Sequence, residues 1–235
     1  MIKIFSYNIE KTMQQENFDE LRKNLTVKRI KKIDQYKFNI DSHRALISEV
    51  LMRNLAGEVL NLPGREVIID RNKFGKPFLV DYNHLYINSS HSNNWVIGAL
   101  SDTPIGIDIE EIRPINLDIA LDFFTPNELL NFFKVDSELR TEYFYKIWTA
   151  KEAYTKCIGT GFSTDLRSFS INHNKVILKT SDCYKHILSP YSITYGTLDD
   201  SHIMAVCQES KHYSINHIHK NEIDIYKAFF RKEVS

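Results

Sequence analysis

Apolar residues recur along this chain in two rhythms. Ile2 to Ile9 alternates weakly and reads as a strand. From Thr26 to Phe38 the spacing lengthens to three: Val27, Ile30 and Ile33 recur with Lys28, Arg29, Lys31, Lys32 and Lys37 between them. That pattern predicts a helix with cations on its outer face. Asp41 reads as the N-cap of a stronger helix carrying Ala45, Leu46, Val50, Leu51 and Leu55 and stopping at Gly57. After the turn Asn61-Leu62-Pro63-Gly64 come short extended runs: Val67 to Ile69, a piece beginning at Phe78, Leu85 to Asn88, Trp95 to Leu100 and Ile105 to Ile109. Asp102-Thr103-Pro104 reads as the tight turn of a hairpin joining the last two.

Thr125-Pro126-Asn127-Glu128 is the clearest helix start, with Thr125 as cap, Pro126 at the first helical position and Glu128 closing a capping box. Arg140 to Ile158 is the longest helical run and ends at Gly159 and Gly161. Short β-like runs follow at Phe169–Ile171, Val176–Leu178, Tyr191–Tyr195, Ile203–Cys207 and Tyr213–Ile218, and Asn221 to Lys232 reads as a terminal helix. Residues from Glu209 onward carry no usable motif and read as surface packing or a tail. Mixed helices with largely antiparallel strands imply an α+β fold, and no regular strand–helix alternation supports a Rossmann sheet.

At ~150 residues per domain, 235 residues make one large domain or two small ones and need no disulfide or metal staple. Thirty basic and thirty acidic side chains leave a formal charge of zero. This excludes nucleic-acid binding through overall basicity, though not a local patch. Cys157, Cys183 and Cys207 are odd in number and widely spaced, with no Cys-x-x-Cys pair, so the expected compartment is the reducing cytoplasm. The first residues lack a signal-peptide core and cleavage site, and no apolar run approaches the roughly 20 residues that span a bilayer.

Four clusters could carry chemistry. In Gly106-Ile107-Asp108-Ile109-Glu110, strand alternation puts Asp108 and Glu110 on one face. Paired carboxylates suit Mg²⁺ and its oxygen ligands, or else form the solvated face of a half-buried strand. In Trp148-Thr149-Ala150-Lys151-Glu152-Ala153-Tyr154-Thr155-Lys156, helical spacing aligns Trp148, Glu152 and Lys156. Glu152 either adds a third carboxylate or merely pairs with Lys156, while Lys151 and Lys156 could neutralise phosphate. Asn88-Ser89-Ser90-His91-Ser92 reads as a polar turn able to hold an anion, with no Gly-x-Ser-x-Gly elbow to suggest a hydrolase. Lys28, Lys31, His43, Arg44 and Lys76 form a cation set, in which Lys28 to Lys32 ordinarily read as a solvated helix face. A metal held by carboxylates and faced by cations is what phosphoryl transfer requires.

Gly75-Lys76-Pro77, Asn88–Ser92, Gly106–Glu110 and Trp148–Lys156, in that order and separation, resemble the motif set of the 4′-phosphopantetheinyl transferases, most closely the surfactin-synthetase-activating type. The likeness runs from about Lys28 to Cys207, and Thr149 stands where the family frequently has Ser. The resemblance implies two similar α+β halves related by a pseudo-two-fold axis, here 1–103 and 104–235, with the active site between them. It implies transfer of the phosphopantetheine arm of coenzyme A to a serine of an apo peptidyl or acyl carrier protein, leaving adenosine 3′,5′-bisphosphate. Asp108, Glu110 and Glu152 would hold Mg²⁺, and Glu152 or a water would be the base. Lys156 would meet the pyrophosphate, with Lys151 as its neighbour. Lys28, Lys31 and Arg44 would lie near the 3′-phosphate, and Lys76, Ser90 and His91 would grip the nucleotide and its phosphates. Glu128 matches a further acidic site position, although it also completes the capping box.

The same resemblance implies a monomer. The apolar bulk of Asn116 to Lys134, including Leu117, Ile119, Leu121, Phe123, Phe124, Leu129, Phe132 and Phe133, is either carrier-docking surface or ordinary core. Two rivals stand beside this reading: a coenzyme A or nucleotide sensor without turnover, and a nucleic-acid binder using the Lys28 to Lys37 run.

Overall fold

The computed structural model describes residues 1–10, 13–179, 186–209 and 214–231. Cys183 and the ends of the expected final strand and helix lie outside them. In chain order the elements are β1 (Ile2–Asn8), α1 (Gln15–Lys23), α2 (Val27–Ile33), α3 (Asn39–Leu60), β2 (Ile69–Arg71), β3 (Pro77–Leu79), β4 (Tyr86–Ser92), β5 (Trp95–Ser101) and β6 (Ile105–Glu111). They continue with α4 (Ala120–Phe123), α5 (Pro126–Lys134), α6 (Arg140–Ile158), β7 (Phe169–Asn172), β8 (Lys175–Lys179), β9 (His186–Asp199), β10 (His202–Glu209), β11 (Ile215–His219) and α7 (Glu222–Phe230). The α+β expectation holds, in two compact units.

The first unit is built on a sheet of order β11-β1-β5-β4, with the β2–β3 hairpin beside it. β1 runs antiparallel to β5 and parallel to β11. Helix α3 packs on this sheet and is buried all round from Ala45 to Gly57, including Ser48, Glu49, Arg53 and Asn54. Its boundaries differ from the expected ones: the N-cap is Phe38, not Asp41, and the helix runs past Gly57 to a left-handed Asn61. Gly57 does not stop the helix. Its missing Cβ leaves room for the chain returning beneath it, since a Cβ there would lie 2.5 Å from the Leu62 carbonyl oxygen. Phe18, Leu21, Ile33, Leu46, Leu51, Leu55, Val96, Leu100 and Phe229 share the core.

The second unit carries an antiparallel sheet of order β6-β10-β9-β8-β7, crossed by α6. Its core joins Phe124, Phe132, Phe144, Ala150, Ala153, Tyr154, Phe169, Ile193 and Ala205. The capping box at Thr125–Glu128 forms as expected, and α6 spans Arg140–Ile158 as its periodicity predicts.

Three expectations are corrected. β5 and β6 form no hairpin: β5 pairs with β1 and β4, whereas β6 pairs with β10 in the other sheet. The break in pairing at Asp102-Thr103-Pro104 is the passage from one unit to the next. Second, the chain does not divide simply at 103/104. β11 and α7 return to the first unit, where β11 completes the sheet beside β1 and Ile225 and Phe229 enter the core. The tip of the β2–β3 hairpin, Asn72–Lys76, conversely belongs to the second. Third, Asn88 to Ser92 is strand, not turn; the reversal comes at Asn93, whose φ is +46°.

Gly106 sets the distance between α6 and β6. A Cβ there would sit 2.0 Å from the Ala153 carbonyl oxygen and 2.4 Å from the Cys157 nitrogen, both backbone atoms. Gly106→Ala is therefore expected to push the helix off the strand and destabilise the unit by about 1–3 kcal/mol. Chemical denaturation followed by circular dichroism tests this; an unchanged midpoint would contradict the close approach.

Candidate active site

Strand alternation on β6 puts Gly106, Asp108 and Glu110 on the face that α6 covers. Ile105, Ile107 and Ile109 point the other way and are also buried. The carboxylates thus lie beneath a helix rather than on a solvated strand face. The Lys156 ammonium donates to Asp108 Oδ1 at 2.6 Å, and the Trp148 indole N–H donates to Glu110 Oε1 at 3.2 Å. Glu152 lies on α6 one turn from each of those donors. Its carboxyl is pushed above the ordinary range, chiefly by burial; Lys156 draws it down, and Asp108 and Glu110 push it up.

These four side chains therefore share one electrostatic neighbourhood. Among the described residues no three His, Cys, Asp or Glu side chains converge closely enough to hold a metal as they stand. The donor set nevertheless fits Mg²⁺ in chemistry: its ligating atoms are all oxygens, its members repel one another, and Mg²⁺ completes its shell with water and phosphate. Trp148 has a role that its motif did not disclose, because only the fold shows that its indole reaches β6.

Two expected site residues are paired with each other instead. Lys151, five residues before Lys156, points to another side of α6 and has no exposed side-chain surface. Its ammonium donates to Leu166 O at 2.7 Å and Phe169 O at 2.9 Å and pairs with Glu128 Oε2 at 2.9 Å. Three donors thus meet three acceptors. Burial pushes its pKa down, and Glu128 opposes that shift. Glu128 in turn accepts from the Thr125 N–H at 2.8 Å and the Ile171 N–H at 2.7 Å. Glu128 is a buried cap and ion-pair partner and is not among the charges acting on Glu152. Neither residue faces the Asp108–Glu152–Lys156 group.

Lys76 is in the second unit, where its ammonium donates to the Cys157 and Ile105 carbonyls. The Asn72 side-chain amide donates to Gly159 O at 3.1 Å, so the hairpin tip caps the C-terminal end of α6. Gly159 takes φ +74° there, and a Cβ on it would lie 2.9 Å from Lys76 Cδ.

The remaining cations and hydroxyls are in the first unit. Lys28 and Lys31 are exposed and three apart on α2, and Lys28 Nζ lies 3.1 Å from Asp70 Oδ1. Arg44 binds the β4–β5 turn through Asn93 O at 2.6 and 2.9 Å and pairs with Asp41 at 2.9 Å. Ser90 and His91 are consecutive on β4, so their side chains leave opposite faces: Ser90 is buried and His91 exposed. They do not form one anion-holding loop. A cavity of about 470 Å³ lined by Tyr7, Trp95, His219 and Lys220 also lies in this unit, and none of the expected site residues lines it.

The sequence pattern of the 4′-phosphopantetheinyl transferase superfamily matches residues 104–207, and that of the 4′-phosphopantetheinyl transferase N-terminal domain matches 12–103. The chain belongs to the 4′-phosphopantetheinyl transferase superfamily. The 4′-phosphopantetheinyl transferase ffp of Bacillus subtilis is 32% identical over 206 residues, covering 88% of this chain and 92% of its own. The transferase psf-1 of Bacillus pumilus is 37% identical over 174 residues, 74% of each chain. The transferase Sfp of Bacillus subtilis strain 168 is 32% identical over 209 residues, covering 88% of this chain and 92% of its own. In this transferase Asp108, Glu110, Glu152 and Lys156 fall within the superfamily segment, and Lys28, Lys31, Arg44, Ser90 and His91 within the N-terminal one.

Lys151→Met, which strands Glu128 as a buried unpaired charge, is expected to cost about 3–5 kcal/mol of stability. In the fraction that stays folded, the KM for coenzyme A is expected to be unchanged. Urea unfolding and initial-rate kinetics on one preparation check both; a stable variant with raised KM would return Lys151 to the substrate site.

Proposed function

We propose that this transferase moves the 4′-phosphopantetheine arm of coenzyme A onto a serine hydroxyl of an apo peptidyl or acyl carrier protein and releases adenosine 3′,5′-bisphosphate. The observation that carries this reading is the Asp108–Glu110–Glu152–Lys156 group, gathered on one strand–helix face in a chain of this family. Asp108, Glu110 and Glu152 would hold Mg²⁺, which when bound supplies positive charge to the pyrophosphate of the donor. Lys156, now paired with Asp108, adds its charge where negative charge develops. Glu152 or a water receives the serine proton. Lys28, Lys31, Arg44 and His91 engage the nucleotide end, with Lys28 and Lys31 at its 3′-phosphate, and Ser90, buried on the other face of β4, supports the strand. Lys76 acts by capping α6 rather than by binding phosphate.

We read the enzyme as a monomer of the cytoplasm with no nucleic-acid or membrane partner. The supports are the free buried thiols of Cys157 and Cys207 and the zero net charge. Among the described residues no helix is long and apolar enough to cross a membrane.

The direct test is incubation with coenzyme A, Mg²⁺ and apo peptidyl or acyl carrier, followed by the intact mass of the carrier. A gain of one phosphopantetheine is expected, lost with chelator and reduced about 10²–10³-fold in rate by Asp108→Ala or Glu152→Gln. No gain on either carrier class while coenzyme A still binds would favour a sensor without turnover.

For the carrier, Phe124 is ruled out as a docking residue because it is core. Phe123 packs its ring on Trp148 at 5.0 Å. Leu121, Leu130 and Phe133 stay exposed, and Leu130 and Phe133 share a face of α5. Substituting Leu121 and Phe133 together by Ser is expected to raise the KM for carrier about tenfold and leave that for coenzyme A unchanged. Steady-state kinetics with each substrate varied in turn decide it; equal affinity for the carrier would remove this face from docking.

A further inference from the structure

Helix α2 is seven residues long, too short to hold its own shape in water. Ile30 and Ile33 tether its inner side to the core of the first unit. A third tether is ionic. Glu49, on α3 and 1% exposed, stands between three guanidinium groups: Arg29 on α2 at 3.1 Å, Arg53 one turn along α3 at 3.3 Å, and Arg71 on β2 at 2.7 Å. Arg29 also donates to the Ala45 carbonyl at 2.8 Å. One carboxylate therefore ties a helix, its neighbour and a strand together. It offsets only one of the three positive charges around it.

We infer that Glu49 is a positioning residue for the coenzyme A site, holding α2, and with it Lys28 and Lys31, against α3 and β2. This rests on the reading that Lys28 and Lys31 meet the 3′-phosphate. Those two lysines, at i and i+3, keep a common direction only while α2 is held at a fixed rotation. Arg29 is the one guanidinium of the cluster on α2 itself, and it holds two points of α3 at once, Glu49 by charge through Nε and the Ala45 carbonyl through Nη2. Asp70, one residue before Arg71 on β2, meets Lys28 from the other side, so Glu49 governs the lysine through two routes. Loss of this carboxylate weakens donor binding without touching the carboxylate group of the second unit.

The test uses the full-length enzyme with Glu49→Gln and Arg29→Gln, and compares coenzyme A with dephospho-coenzyme A, which lacks the 3′-phosphate, at saturating apo carrier. In both variants the KM for coenzyme A is expected to rise about tenfold with little change in kcat, while the KM for dephospho-coenzyme A stays put. A Lys28→Ala, Lys31→Ala double variant is measured alongside. If it erases the preference for coenzyme A and the other two variants keep it, the site reading stands and Glu49 has no positioning role. If the double variant keeps the preference, the phosphate reading itself fails, and this inference fails with it. Equal losses on both donors, or a loss confined to kcat, mean general destabilisation and overturn the inference. Where Glu49→Gln does not fold, Arg29→Gln decides alone, because Glu49 then keeps Arg53 and Arg71.

Discussion

A lysine ammonium without any exposed surface must find three acceptors or give up its charge, and Lys151 finds them. Glu128, Leu166 O and Phe169 O surround it, drawn from the start of α5 and the approach to β7. Those contacts fix how α6 is turned about its axis in the second unit. With Lys151 locked on one side, Glu152 and Lys156 are committed to another, over β6. The pair is costly to desolvate, and what offsets that cost is complete hydrogen bonding, including the Thr125 and Ile171 amides on Glu128.

A second constraint acts at short range. Gly106 lets the backbone of α6 approach β6 closely enough for an ammonium on one to meet a carboxylate on the other at 2.6 Å. Without such contact Asp108 and Glu110 would repel each other on an ordinary strand, and Glu152 would be one more helical surface charge. Burial also acts on the group: it is the chief cause of the raised Glu152 carboxyl, to which Lys156, Asp108 and Glu110 add opposing contributions.

The first unit uses the same device with the signs reversed. There a buried carboxylate, Glu49, gathers arginines from separate elements, whereas in the second unit a buried ammonium gathers oxygens. In each, one charged residue of the long helix ties the surrounding pieces to it. Both helices, α3 and α6, are buried nearly all round, which a simple amphipathic stripe does not anticipate.

Features held by neighbours along the chain are legible in the sequence alone. The capping box at Thr125, the span of α6, the shared face of Asp108 and Glu110 and the four ordered motifs depend on contacts within a few residues or on residue identity alone. The tertiary structure decided what depends on distant partners. Asp102-Thr103-Pro104 reads like a hairpin turn, but strand pairing is chosen by sheets assembled from remote segments, and β5 and β6 go separate ways. Ser90 and His91 look like a loop until Ile97 and Val96 pair with them. Glu128 and Lys151 read as site residues because a charged side chain advertises chemistry, and only the three-dimensional packing shows that they have already satisfied each other. Sequence by itself determined the family, the helical and strand periodicities and the acidic strand. Which charges are paired deep in the core and which lie along β6 was decided by packing, since burial depends on what the rest of the chain folds against.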